Sequence, residues 1–208
     1  MFKSKQKIII ITIIAIAIVI FVSIFFKINY KKINTGNNIL NKTLDEVQEY
    51  ICNINSYEAT MEVTINSNKN TNKYKIKQTH DENEDIQEIL EPENVKGIKF
   101  IYKNNTLQII NTNLNLTKIY NNYPYIESNN LWLNDFLEEY KQADNENKEA
   151  TENDEEVVLK LEVQNEDSNI KYKELYLDKK TGNPTKLLIQ DNNKNTVIYI
   201  LYSEITIK

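Results

Sequence analysis

Histidine and cysteine, the residues that most often serve as catalytic bases, nucleophiles and transition-metal ligands, are scarce in this sequence of 208 residues. There is one histidine, His80, which stands beside Asp81 and Glu82, and one cysteine, Cys52. No spacing of Ser, Cys and His predicts a nucleophile activated by a base, and no Cys/His cluster suits a transition metal. We therefore predict that the protein is not an enzyme and that it binds no metal and no cofactor.

Other kinds of chemistry are just as weakly represented. The three glycines, Gly36, Gly97 and Gly182, are scattered, so no glycine-rich loop could hold a phosphate group. Cys52 has no second cysteine in the chain, which favours a buried structural thiol, with pairing between chains as the alternative. Among the 30 acidic residues, a catalytic carboxylate pair stays open as the enzymatic alternative.

The main apolar segment of the C-terminal part surrounds the only tryptophan. Trp132, Phe136 and Tyr140 recur at i, i+4 and i+8 and predict one ridge of a helix over 131–140. Such a helix is either part of the core or a lid over a bound apolar ligand. We favour the core, with the ridge packed on the concave face of a sheet. The candidate N-caps are Ser128, Asn129 and Asn130, and the candidate sheet residues are Met61, Val63, Leu159 and Leu161.

A second helix is predicted earlier in the chain, where apolar residues recur at helical spacing. Its stripe consists of Leu40, Leu44, Val47, Ile51 and Ile54, and Asn37 and Asn38 could cap its start. The stretch from Thr43 to Glu46 also has the form of a capping box. We expect this helix to pack on its own domain rather than on a partner.

Alternating apolar and polar residues predict about nine strands, joined by turns, in a mostly antiparallel sheet. The predicted strands are 57–65, 73–79, 85–91, 98–103, 106–112, 157–163, 170–178, 185–190 and 196–202. Asn104 and Asn105 form a predicted two-residue turn. The acidic run from Asp144 to Glu156 is interpreted as a solvated, mobile loop rather than a cation site.

The N-terminus carries the clearest targeting signal. Ile8 to Phe26 is a run of 19 residues without a charge, and a helix of that length spans roughly 28 Å, about the thickness of a bilayer core. The run ends in Phe21-Val22-Ser23-Ile24-Phe25-Phe26, with no A-x-A-like cleavage site at that end, and the only cysteine, Cys52, lies too far downstream for lipidation. We therefore predict an uncleaved membrane anchor over 1–32 and an extracytoplasmic domain over 33–208.

The charge distribution excludes one class of partner. Six lysines and no acidic residue lie in 1–32, so residues 33–208 carry a net charge of −11 against −5 for the whole chain. Nucleic acid requires a basic surface, and this domain has the opposite balance. We expect no nucleic-acid binding.

Several stretches resemble a known family. The segment LYLDKKTGNPTKLLIQD, 175–191, resembles the strand–turn–strand hairpin of LolA-like lipoprotein-carrier domains. In it, Gly182 can take a positive φ and Pro184 can open a strand. The blocks at 67–78, 88–126 and 129–140 resemble the clostridial germination lipoprotein GerS and its relatives. The likeness covers nearly all of 38–208, although Phe25 and Phe26 stand where a lipoprotein would carry its lipidated cysteine.

The resemblance implies a specific fold and two alternative functions. The fold would be α+β, a curved, incompletely closed antiparallel sheet, or LolA-like half-barrel, with helices on its concave side. GerS-like relatives are partners of a cortex peptidoglycan amidase, CwlD, so the implied function is a membrane-anchored activator in sporulation and germination. The alternative is a carrier or sensor of an apolar ligand such as a lipid or an acyl chain. The implied location is the cell membrane, with the forespore intermembrane space as one such compartment.

The predicted anchor implies a membrane topology that can be tested. Because the short basic tail before Ile8 offers nothing to fold outside, we expect residues 33–208 on the outer side of the membrane. Protease added to intact protoplasts should remove this domain. A domain that stays protected, or a mature protein shortened at its N-terminus, would show that the anchor is wrongly interpreted.

Overall fold

The computed structural model describes residues 42–67, 69–122, 130–164 and 169–208. All of them belong to the compact unit Ile39–Lys208. The predicted anchor over 1–32 lies outside these residues. Across the described ranges, no helix is both long enough and apolar enough to cross a membrane.

Eleven strands form one open antiparallel sheet in the order β6-β5-β4-β3-β2-β1-β11-β10-β9-β8-β7. The strands are β1 (Tyr57–Asn66), β2 (Thr71–His80), β3 (Asp85–Glu91), β4 (Ile98–Lys103), β5 (Thr106–Asn111), β6 (Leu116–Asn121), β7 (Lys148–Glu152), β8 (Glu156–Glu162), β9 (Ile170–Asp178), β10 (Pro184–Asp191) and β11 (Thr196–Ile207). The first and last strands of the fold, β1 and β11, pair in the middle, and β6 and β7 are the two edges. The predicted class, an α+β fold with an incompletely closed antiparallel sheet, is confirmed for the described residues.

The turns between strands follow from residues that tolerate a positive φ. Asn104 and Asn105 have φ values of 49° and 57° and connect β4 to β5, as predicted. Gly182 has a φ of 77° in the turn before β10, and Pro184 opens that strand. Asp178 fixes the same turn, because its carboxylate accepts hydrogen bonds from the backbone N–H groups of Lys180 and Thr181 at 3.1 and 2.7 Å.

Neither edge strand, β6 or β7, is predicted from the sequence. In β6, five of the six residues are exposed, so the strand lacks the buried positions that give an alternating pattern. The prediction of a mobile loop over 144–156 is wrong, because β7 lies inside that acidic run and pairs with β8 from Lys148↔Leu161 to Glu152↔Val157. Edge strands are often charged in this way, which prevents further pairing and hides them from hydrophobic periodicity.

The two helices are short. The first, α1 (Leu44–Cys52), begins with the predicted capping box: the Thr43 N–H donates to the Glu46 carboxylate at 2.8 Å, and the Glu46 N–H donates to the Thr43 hydroxyl at 3.3 Å. Val47 and Ile51 are fully buried, so the helix packs on its own domain. The candidate caps Asn37 and Asn38 lie outside the described residues. The second helix is α2 (Leu133–Gln142).

One apolar cluster joins both helices to one face of the sheet, here called the inner face. The register places its strand members on that face: Tyr57, Ala59, Met61, Val63, Ile76, Val157, Leu159, Leu161, Leu175, Leu177, Leu187, Ile189, Ile200 and Tyr202. Each large side chain buried in this way contributes about 1.5–3 kcal/mol. The cluster is therefore the main source of stability.

A charged pair interrupts the inner face beneath α2. Lys173 of β9 has a side chain only 4% exposed, and its ammonium group lies 2.5 Å from the carboxylate of Glu139, which is 37% exposed. The two partners are thus buried to different degrees. Removing Glu139 would leave a buried cation without an anion, whereas removing the charge of Lys173 would leave a carboxylate that water can still reach.

This asymmetry predicts different responses to two substitutions in residues 33–208. Glu139→Gln should lower the free energy of unfolding by about 1–3 kcal/mol, because Lys173 loses its charged partner. Lys173→Met should change it by less than about 1 kcal/mol. Urea unfolding followed by the fluorescence of Trp132 measures both. Equal losses for the two variants would contradict the account.

Candidate functional site: the helix on the inner face

The three aromatic residues of the predicted ridge are all buried. Trp132, Phe136 and Tyr140 are 6%, 1% and 2% exposed and belong to the cluster on the inner face. The rings of Phe136 and Tyr140 stack with centroids 5.9 Å apart and planes inclined by 22°. The four sheet residues proposed to receive the ridge, Met61, Val63, Leu159 and Leu161, belong to the same cluster. A lid would have to open, whereas a core helix would not. That this helix is core rather than a lid stays a prediction.

The start of α2 differs from the sequence prediction. The N-cap is Trp132, and no side chain of the helix caps it. Asn130 is therefore not the cap, while Ser128 and Asn129 lie outside the described residues. The cap comes from the sheet: the hydroxyl of Tyr57 accepts a hydrogen bond from the backbone N–H of Leu133 at 3.2 Å. This contact satisfies one of the four N–H groups that every helix start leaves free.

Tyr57 belongs to a buried polar connection between the sheet and α2. Its hydroxyl lies 3.3 Å from the side-chain oxygen of Gln78, to which it donates. The amide nitrogen of Gln78 in turn donates to the backbone carbonyl of Leu131 at 3.0 Å. Tyr57 and Gln78 are 1% and 0% exposed, and burial raises the pKa of Tyr57 well above its usual value. The sequence pattern singles out neither residue, because each occupies an ordinary strand position.

The C-terminal end of α2 is held by β7. The ammonium group of Lys148 donates to the backbone carbonyls of Tyr140 and Lys141 at 3.2 and 3.3 Å. A cation at this end also interacts favourably with the helix dipole. Burial raises the pKa of Tyr140 to about 12 and also raises that of Cys52, which is only partly buried. Both ends of α2 are thus fixed to strands.

His80 has a structural environment. Its Nδ1 atom lies 2.5 Å from the carboxylate of Asp85 on the neighbouring strand, rather than against the adjacent Asp81. Its ring packs on that of Tyr57, with centroids 5.4 Å apart. Asp81 instead accepts hydrogen bonds from the backbone of Asn83 and Glu84 in the turn between β2 and β3. Over the described ranges, no group of three or more His, Cys, Asp or Glu residues could hold a metal ion.

Two surface cavities have polar walls. One, of about 300 Å³, lies near the ends of β7 to β10, and Lys160, Glu162 and Glu174 are among its lining residues. The other, of about 410 Å³, lies beside α1 and α2 and includes Asp45, Glu49 and Lys141 in its lining. An acyl chain requires a predominantly apolar cavity. Neither cavity provides one.

Comparison with known proteins identifies a family and a fold. The sequence profile of the family described as sporulation protein YdcC-like matches residues 5–208. No curated protein matches the sequence significantly.

Three solved structures align over most of the chain. A conserved protein from Thermus thermophilus is similar at 11% identity, covering 80% of this chain and 88% of its own, with a TM-score of 0.52. A chain of the complex between the CwlD amidase and the GerS lipoprotein of Clostridioides difficile is similar at 21% identity, covering 79% of this chain and 95% of its own, with a TM-score of 0.50. A LolA superfamily protein from Nitrosomonas europaea aligns at 11% identity over 81% of this chain and 94% of its own, with a TM-score of 0.39.

The aromatic ridge gives a test of core against lid. If the ridge is core, Trp132→Ala in residues 33–208 should cost about 3–5 kcal/mol of stability and lower the melting temperature sharply. If the ridge is a lid, the same substitution should cost little stability and instead weaken the uptake of an apolar dye. Circular dichroism on heating and dye fluorescence separate the two. A melting temperature close to that of the wild type, together with lost dye binding, would contradict the interpretation of the ridge as core.

Proposed function

The chain belongs to the YdcC-like family of sporulation proteins, and from that premise we propose that it is a membrane-anchored, non-catalytic partner of a cell-wall amidase. The amidase would be CwlD-like and would act on the peptidoglycan of the spore cortex. In this proposal the amidase performs the hydrolysis. The present chain binds it and raises its activity.

One observation carries the proposal. The structure that resembles this chain over 95% of its own length comes from a complex between an amidase and a lipoprotein. The sequence blocks at 67–78, 88–126 and 129–140 resemble the lipoprotein family of that complex. A shared fold at 21% identity does not by itself transfer a partner. The membership in a sporulation family adds the biological setting in which such an amidase works.

The chemistry of the domain supports a division of labour. His80 is paired with Asp85 and packs on the ring of Tyr57, and among the described residues no Ser, Thr or Cys side chain hydrogen-bonds to it as an activated nucleophile would. The burial that raises the pKa of Cys52 makes its thiol a weaker nucleophile. A partner that supplies its own catalytic groups therefore suits this domain better than independent catalysis.

The location follows from the predicted anchor. A span over Ile8–Phe26 would tether the domain on the outer side of a membrane, where peptidoglycan is made and modified. The forespore intermembrane space is one such compartment. The tether would replace the lipid anchor of a lipoprotein relative.

A carrier or sensor of an apolar ligand is the second candidate. The hairpin 175–191, which resembles that of LolA-like carriers, favours it. Against it, α2 fills the inner face with Trp132, Phe136 and Tyr140, so that a ligand would have to displace a packed helix. A tethered carrier would also be unable to cross an aqueous gap. The partner function is therefore the better supported of the two.

A reconstituted assay tests the proposal. The full chain in detergent micelles should release nothing from purified peptidoglycan on its own. Added to the CwlD-like amidase of the same organism, it should increase the release of free amino groups several-fold. His80→Gln should stimulate equally, because that side chain is assigned no part in hydrolysis. Digestion by the chain alone, or an amidase that neither binds it nor responds to it, would refute the proposal.

A further inference from the structure

The two edges of the sheet are protected very differently. The β7 edge carries Lys148, Glu149 and Glu152, and α1 packs against it. The β6 edge lies at the far end of the sheet and pairs only with β5 among the described residues. Charged side chains and covering helices are the usual protection against pairing with another chain. In the part of the chain that the structure describes, no helix covers the β6 edge, and Lys118 is the only charged residue of that strand.

Among the residues that the structure describes, most large apolar side chains that are exposed lie at this edge. Leu116 and Ile119 of β6 are 61% and 58% exposed, and Leu114, in the turn before the strand, is 65% exposed. Leu201, in the middle of the sheet, is exposed only to 36%. Large apolar side chains gathered at one edge indicate a surface that another molecule covers.

The strand register assigns these side chains to both faces of the edge. Residues that are directly paired across neighbouring strands point to the same face of the sheet. Starting from Tyr57, which lies on the inner face, the successive partners toward β6 are His80, Asp85, Tyr102, Leu107 and Tyr120. Leu116 and Lys118 therefore lie on the inner face with Tyr120, and Ile119 lies on the opposite face. A strand added beside β6 would meet apolar side chains on both of its sides.

The charge at this edge also differs from that of the domain. Residues 104–122 contain Lys118 and no acidic residue, although residues 33–208 carry a net charge of −11. The ammonium group of Lys118 lies 4.8 Å from the ring centre of Tyr120 and forms no ion pair with any described residue. A carboxylate on an incoming strand would complement it without repulsion from neighbouring acidic groups.

We propose that β6 is the docking edge for the amidase partner, which adds an extended segment beside it as a further strand. The segment has apolar residues at alternate positions and an acidic residue opposite Lys118. Main-chain hydrogen bonds supply affinity in this mode of binding, and the alternating side chains supply specificity. The proposal rests on the proposed function and assigns its contact surface.

Lysine substitutions at the edge test the proposal in the full chain. Ile119→Lys and Leu116→Lys should each raise the dissociation constant for the CwlD-like amidase at least about tenfold, because each places a charge where the added strand would bury an apolar side chain. Leu201→Lys is the matched control, since its strand, β11, has neighbours on both sides. This control should bind like the wild type.

Two further measurements show whether the edge variants are still folded and whether the charge of Lys118 contributes to the association rate. The melting temperatures of the edge variants should stay within a few degrees of the wild type, because surface substitutions of exposed side chains cost little. Lys118→Glu should slow association with the amidase, because the new carboxylate would repel the acidic residue of the added strand.

The outcomes distinguish this proposal from the one on which it rests. Wild-type protein that fails to bind the amidase overturns both. Wild-type binding together with unchanged affinity of Ile119→Lys and Leu116→Lys overturns the edge alone. If these variants instead convert a dimer into a monomer in sedimentation while amidase affinity is kept, the edge belongs to a second copy of the chain, and the proposal is again overturned.

Discussion

The fold depends on covering the apolar inner face of an open sheet. Alternating residues of β1, β8, β9, β10 and β11 present one apolar surface, which cannot remain in water. The helix α2 covers it with three aromatic side chains, and α1 extends the cover with Val47 and Ile51. Tyr57 and Gln78 are buried in the same surface, and each would cost about 1–3 kcal/mol if unsatisfied. The start of α2 satisfies both, so apolar area and hydrogen bonding hold the helix in one place.

This constraint directs the search for function toward the periphery. With α2 fixed at its start by Tyr57 and at its end by Lys148, the part of the inner face that β1 and β8 to β11 form is occupied by the protein itself. The two described cavities are small and polar. Among the described residues, what remains available for a partner is the outer surface and the edges, of which β7 is charged and packs against α1, while β6 carries exposed apolar side chains and pairs only with β5. A protein partner fits this distribution better than a ligand carried inside.

The sequence predicts those elements whose signal is local. The strand β1 alternates strictly because one of its faces is buried, and the capping box at Thr43 and the turn at Asn104 and Asn105 follow from residue types alone. The two edge strands show no such alternation of apolar and polar residues, because an edge strand buries few side chains. The cap of α2 by Tyr57 joins residues far apart in sequence, and no local pattern encodes such a contact. The anchor and the role of the aromatic ridge stay predictions.

The proposed function requires that α2 remains part of the core while a partner binds at the surface of the domain. Hydrogen–deuterium exchange of the full chain measures this most directly. We expect the amides of Phe136 to Tyr140 to exchange as slowly as those of the central strands β1 and β11, because all of them should open only on global unfolding. Helix amides that exchange orders of magnitude faster than those of β1, while the sheet stays protected, would show that α2 opens independently and would contradict the account.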